Sequence, residues 1–310
     1  MILSVSRRTD IPAFYGEWFL NRLLEGFVCV RNPFNYHHVS KIILNPSNVD
    51  CIVFWTKNAK HFKDKLDVVD KIGYKYYFQY TVTPYGSNIE PNVPDKDAII
   101  DNFRELSDKI GKEKIIWRYD PILYSQEIGL NYHVENFQRL CSALKDYTNS
   151  VIISFLDDYS KMGKRSENIN QLDFNQMIQV SKVLADIASS AGLAIKTCAE
   201  ELVNANNIEK ASCIDKKLIE RIIGSRLNVK KDKNQRHECM CFESVDIGEY
   251  DTCKHFCDYC YANGSEKKII NKCSNHNPNS PLLIGEIVEE DKIIERNLPS
   301  NKVLQQSFFD

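Results

Sequence analysis

Residues 1–230 alternate strand-like and helix-like segments, and this alternation limits the fold more than any other feature of the chain. Ile2–Ser6 reads as a short apolar strand. Pro12 opens a helix through about Phe27, with Phe14, Trp18, Phe19 and Leu23 at helical spacing. Further strands are predicted at Asp50–Thr56, Tyr74–Thr83, Lys114–Tyr119, Val151–Leu156 and Leu193–Ala199, with a short seventh near Cys213-Ile214-Asp215. Amphipathic helices fall over Ala98–Ile110, around Val134, Phe137, Cys141 and Leu144, and around Met177, Val180, Leu184 and Ile187. Frequent alternation of this kind implies a parallel sheet with right-handed crossovers. The number of units fits a TIM-type β/α barrel, complete or partial, better than an open nucleotide-binding sheet. No Gly-x-Gly-x-x-Gly follows any strand, which weighs against the open sheet.

The character changes at Lys230. Lys230–Arg236 is a polar linker, and the region beyond it is rich in cysteine and poor in strand or helix signals until Pro281. Apolar surface is too sparse there for an independent core. The predicted organisation is a barrel over 1–230 and a cysteine-rich extension over 231–310, packed on the barrel mouth and ordered in part by bound metal.

Cysteine usage agrees with metal. Of 11 cysteines, Cys239, Cys241, Cys253, Cys257, Cys260 and Cys273 crowd into the last quarter, where a disulfide framework would be spread evenly through a smaller secreted chain. The polar start, Met1–Arg8, does not resemble a signal peptide, and no run approaches the roughly 18 apolar residues of a membrane span. A cytoplasmic protein without membrane contact is expected. The net charge of −2 offers no global basic field for nucleic acid, although local basic patches keep a nucleic-acid substrate open.

Cys253, Cys257 and Cys260 form Cys-x3-Cys-x2-Cys, with Tyr259 just before the last thiol. Three thiolates this close can hold three corners of a four-iron, four-sulfur cluster and leave one iron open for chemistry. A closed zinc site normally wants a fourth ligand. His237, Cys239, Cys241 and Cys273 supply a second candidate set for an auxiliary metal, or simply thiols lining the first site.

The strand ends are unusually polar. By the two-residue period, Ser4, Ser6 and Arg8 share a face, as do Trp55 and Lys57, Tyr77, Gln79 and Thr81, Arg118 and Asp120, and Lys196, Cys198 and Glu200. Charges at the C-terminal ends of barrel strands are where barrel active sites lie. Buried ion pairs, such as Arg118 with Asp120 or Lys196 with Glu200, are the structural alternative.

The cysteine stretch resembles the cluster motif of the radical S-adenosylmethionine (SAM) enzymes, although in most of that superfamily it follows the first barrel strand. The resemblance implies an open iron that binds SAM, reductive release of a 5′-deoxyadenosyl radical, and Tyr259 near the bound cofactor. It also implies an electron donor such as flavodoxin or ferredoxin. Ser6-Arg7-Arg8-Thr9-Asp10-Ile11-Pro12, Val30-Arg31-Asn32-Pro33, Phe54-Trp55-Thr56-Lys57-Asn58, Trp117-Arg118-Tyr119-Asp120-Pro121 and Asp246-Ile247-Gly248-Glu249-Tyr250 occur in this order with it. In that, the whole chain resembles a bacterial domain-of-unknown-function family whose C-terminal cysteines are similar to the radical SAM cluster. Spore photoproduct lyase is a more distant likeness, by analogy only. On this reading Cys253, Cys257 and Cys260 are metal ligands. Arg8, Trp55, Lys57, Gln79 and Tyr259 contact cofactor, while Arg118, Asp120, Lys196 and Glu200 serve the reaction on an unknown substrate. The rival from another class is a zinc-stabilised barrel acting as a binding module.

Overall fold

Gly26 decides the first departure from these expectations. It takes φ 77°, the left-handed conformation that ends a helix and that other residues adopt at a cost. The predicted single helix from Pro12 to Phe27 therefore stops before Phe27, which begins a strand, and non-helical Tyr15 divides it into α1 (Ile11–Phe14) and α2 (Gly16–Glu25). The structure is a computed structural model that describes residues 1–157, 169–198 and 208–303.

The strands are β1 (Ile2–Val5), β2 (Phe27–Asn32), β3 (Asn35–Ile43), β4 (Cys51–Thr56), β5 (Tyr76–Thr81), β6 (Ile115–Ile122), β7 (Ser150–Phe155), β8 (Ala194–Thr197), β9 (Glu209–Lys210), β10 (Val245–Asp246) and β11 (Lys292–Arg296). The remaining helices are α3 (Leu66–Ile72), α4 (Lys96–Ile110), α5 (Leu130–Leu144), α6 (Phe174–Ser190), α7 (Lys216–Ile223) and α8 (Glu266–Cys273). Eight strands form one sheet in the order β10-β1-β4-β5-β6-β7-β8-β9, and every neighbouring pair runs parallel. The fold is α/β. A separate sheet, β11-β3-β2, is built from the hairpin after α2, which the helix reading of Phe27 concealed.

Both faces of the main sheet are buried, as parallel sheets require. Leu3, Ile52, Phe54, Phe78, Val151 and Ile153 point to the face covered by α2 through α6, where Trp18, Phe103, Phe137 and Leu184 pack. Ile2, Val53, Tyr77 and Ile152 point the other way, against Ile214, Leu218, Ile219 and Leu227 around α7. The seventh strand lies at Glu209–Lys210 rather than at Cys213–Asp215, where Asp215 instead caps α7 by accepting from Leu218 N at 3.2 Å. Residues beyond 230 are joined to the rest by sheet pairing. β10 adds to the main sheet beside β1, and β11 adds to β3. Among the described residues no helix is long and apolar enough to cross a membrane.

Candidate functional site

The polar C-terminal ends of β1, β4, β6 and β7 open into one cavity of about 500 Å³. The register explains who meets there. Ser4 lies beside Val53, Trp55 beside Gln79, Thr81 beside Arg118, and Arg118 beside Ile152. Side chains one pleat beyond these pairs leave the packed face and reach the mouth.

The cysteine loop closes over this mouth. Cys253, Cys257 and Cys260 all line the cavity, with Tyr259 and Tyr261. The loop is pinned by its backbone. Asp258 N donates to Ile89 O at 3.0 Å, Asn92 N to His255 O at 3.2 Å, and Cys260 N to Cys257 O at 3.1 Å. Phe256 turns the chain at φ 57°. Burial pushes the Cys253 and Cys257 thiols well up, and neighbouring thiol charge adds to this. Without a cation the pair stays protonated. A bound metal is what would ionise it.

Trp55 lies between two guanidiniums, with Arg7 and Arg118 each 5.3 Å from its ring. Arg118 is buried, donates from Nε to Asp120 Oδ2 at 3.1 Å and from Nη1 to Cys213 Sγ at 2.7 Å. Burial would raise the Asp120 pKa, but Arg118 and Ser154 reverse this and hold it below the usual range. Asp120 is thus an anion on the cavity wall. Lys57 donates to Glu90 Oε1 at 2.8 Å. Glu90 is fully buried and also accepts from Thr83 Oγ1 at 2.6 Å, from Lys96 and from the Tyr259 hydroxyl. Among the described residues, three buried donors on the cavity wall have no partner: Arg7 Nη2, Thr9 Oγ1 and Trp55 Nε1. Buried polar atoms are rarely left so.

Of the residues singled out from the sequence, Arg8, Trp55, Lys57, Arg118, Asp120, Tyr259 and the three motif cysteines share the cavity. Gln79 does not line it. It is buried behind Arg118 and donates to Cys213 O at 2.9 Å. Lys196 does not line it either, since its ammonium pairs with Glu209 at 3.4 Å. Glu200 lies outside the described residues. Cys239 and Cys241 line the cavity, but Cys273 leaves them, lying 3.2 Å from the Tyr15 hydroxyl and 3.4 Å from Thr252 O. The predicted auxiliary trio is therefore split. Sequence reasoning missed Arg7, Asp10, Glu90 and Cys213, and gave Cys198 only a place on the strand face of Lys196. Asp10 and Arg7 stood inside a quoted motif, which was the available signal. Glu90 had none.

A model of the family described as Domain of unknown function (DUF1848) matches residues 2–262. The chain belongs to this family. Family-like stretches fall both on the cavity and away from it. Arg31, for example, forms a two-pronged pair with Asp291 at 2.6 and 2.7 Å beside the smaller sheet. No curated protein matches the chain. Among solved structures it is similar, at 12% identity and a TM-score of 0.26, to a protein assigned as an alpha-L-fucosidase from Bacteroides thetaiotaomicron VPI-5482, over 56% of this chain and 72% of that one. The AHE enzyme from Alicyclobacillus herbarius is 10% identical over 62% of this chain and 59% of its own, with a TM-score of 0.28. Virulence factor SghA, solved with its substrate analog salicin, is 11% identical over 61% and 58%, with a TM-score of 0.27. At these TM-scores the likenesses bear on neither closure of the sheet nor activity.

Among the described residues no group of three His, Cys, Asp or Glu side chains has the geometry of a finished metal site. The donor chemistry fits a four-iron cluster. Three soft ligands face a space that carries partnerless hydrogen-bond donors on its wall.

Proposed function

We propose that the chain is a radical SAM-like enzyme, built on a partial or complete TIM-type barrel whose mouth receives the cysteine-rich segment. The observation that carries this reading is the shared cavity. Cys253, Cys257 and Cys260 face the same space as Arg8, Trp55, Lys57, Arg118 and Asp120. Eight parallel strands with two buried faces support the barrel.

Cys253, Cys257 and Cys260 would hold a four-iron cluster, which with SAM supplies the radical chemistry when bound. The chain's own residues bind and orient. Arg7 Nη2, Thr9 Oγ1 and Trp55 Nε1 offer unspent donors to a carboxylate. Asp120, kept ionised beside Arg118, accepts hydrogen bonds or faces a cation rather than giving up a proton. Tyr259, tied to Glu90, seats the last turn of the cysteine loop against β5's exit and excludes water from that side. Arg8, held 3.4 Å from Gly248 O and over Tyr250, stands at the rim, where substrate and a flavodoxin- or ferredoxin-type electron donor approach.

The test is purification without oxygen, reconstitution with iron and sulfide, and an assay for 5′-deoxyadenosine from SAM under a strong reductant. About four irons per chain and SAM cleavage are expected. Failure to take up iron at all, with the protein folded, overturns the reading and favours the zinc-stabilised binding module.

A further inference from the structure

We infer that Cys198, Cys213, Cys239 and Cys241 form a second metal centre, a four-thiolate zinc site distinct from the Cys253, Cys257 and Cys260 set. The four come from three separate stretches of chain and meet on one wall of the cavity. Cys198 Sγ lies 3.3 Å from Cys213 Sγ. Ile214 N, next along the chain from Cys213, reaches Cys241 Sγ at 3.5 Å, and Cys239 stands two residues before Cys241. None is in a disulfide.

The spacing selects one ion over a cluster. Zinc–sulfur bonds of about 2.3 Å at tetrahedral angles put ligand sulfurs about 3.8 Å apart. Thiols sharing protons draw closer than that, and a central cation pushes them out to it. Four iron atoms would need a wider set. The donor set is soft and complete at four, which is the composition of structural zinc.

The surroundings suit the charge that would result. Four thiolates around Zn²⁺ leave a double negative charge. Arg118 Nη1 already donates to Cys213 Sγ at 2.7 Å, and Arg7 lines the same cavity. Ile214 N points at Cys241 Sγ at 3.5 Å. Such donors stabilise metal-bound sulfur and orient it. Binding would release the thiol protons to solvent, with no electron transferred.

The position gives the site its work. Cys213 follows β9 and Cys241 precedes β10, the two ends of the eight-strand order, and Cys198 follows β8. An ion here would staple one edge of the sheet to the other. A long hydrogen bond already crosses this seam, with Phe242 N donating to Ile214 O at 3.3 Å. The staple would also hold Arg7 and Arg118 where they enter the cavity.

The experiment measures zinc and iron by mass spectrometry in the full-length protein carrying Cys253→Ala, Cys257→Ala and Cys260→Ala, which removes the candidate cluster ligands. About one zinc per chain is expected to remain. Adding Cys213→Ser and Cys241→Ser is expected to lower it by roughly tenfold or more. Should that variant not fold, X-ray absorption on the triple-alanine protein decides, with four sulfur neighbours at about 2.3 Å expected. Zinc that persists without Cys213 and Cys241, nitrogen or oxygen neighbours in place of sulfur, iron in place of zinc, or a Cys198–Cys213 disulfide with no metal would each overturn the assignment. Loss of the radical reading would leave these outcomes unchanged.

Discussion

The imidazole Nε2 of His255 donates to Asp10 Oδ2 across 2.9 Å, tying the cysteine loop to the exit of the first strand through a buried pair. Asp10 accepts three more hydrogen bonds, from Ala13 N at 2.9 Å, Thr56 Oγ1 at 2.8 Å and Lys57 N at 2.7 Å. One carboxylate thus sets the relative position of β1, β4 and the motif that carries Cys253 and Cys257.

Asp10→Asn should therefore loosen the site without removing any candidate ligand. An amide presents one acceptor oxygen, so in either orientation two of the four donors face an NH2 group. The expected loss is about 2–4 kcal/mol in urea unfolding, with faster amide exchange through residues 253–260. An unchanged unfolding midpoint would show that the carboxylate is dispensable.

Glu90→Gln should destabilise the fold by about 3–5 kcal/mol, because Lys57 and Lys96 would lose their buried counter-charge. Burial alone would raise the Glu90 pKa, but Lys57 and Lys96 overcome it and bring it from 4.5 to about 2. A folded value below the unfolded one contributes stability above about pH 4.5, lost as pH falls towards 2. Wild type should lose this part of its stability across that window and Glu90→Gln should not. Parallel acid dependence in the two proteins would count against the pairing.

Gly248→Ala tests the close approach of β1 to the stretch after β10. A Cβ there would sit 2.0 Å from Ser6 Oγ and 2.6 Å from Ser6 Cβ. Ser6 cannot retreat freely, since its hydroxyl donates to Asp246 Oδ1 at 2.7 Å. Overpacking of this kind costs about 1–3 kcal/mol. Adding Ser6→Gly should recover part of the loss by removing the clashing atoms. No recovery in a thermal melt would place the cause elsewhere.

Cys257→Ala should abolish reductive SAM cleavage, while Cys29→Ala should not. Cys257 faces the cavity, whereas Cys29 packs as a small buried hydrophobe against Val39 and Leu282. The Cys29 change should cost about 1 kcal/mol of packing. The readout is 5′-deoxyadenosine formed without oxygen, beside a melt for both variants. Equal product from wild type and Cys257→Ala would remove that thiol from the cluster assignment.

What the sequence alone determined about this protein is local. Alternating apolar runs specify strands and helices because backbone geometry sets periods of two and 3.6 residues. The same parity placed Trp55, Lys57, Arg118 and Asp120 at one end of the sheet, and neighbours in a motif such as Cys253 to Cys260 cannot stray far from each other. Parity says which face a residue takes but not where a long side chain goes, so Lys196 could turn to Glu209 and Gln79 could stay beneath Arg118. Phe27-Val28-Cys29-Val30 favours a strand by composition, and Gly26 ends the helix before it through its left-handed turn. Only the tertiary structure decided which distant groups meet. Cys198 comes within 3.3 Å of Cys213 and both line one cavity with Cys239 and Cys241, while Cys273, at the end of α8, lies 3.2 Å from the Tyr15 hydroxyl. Glu90 acquires its importance only when burial removes water from Lys57 and Lys96, and a buried charge must then find its partner wherever the fold has put it.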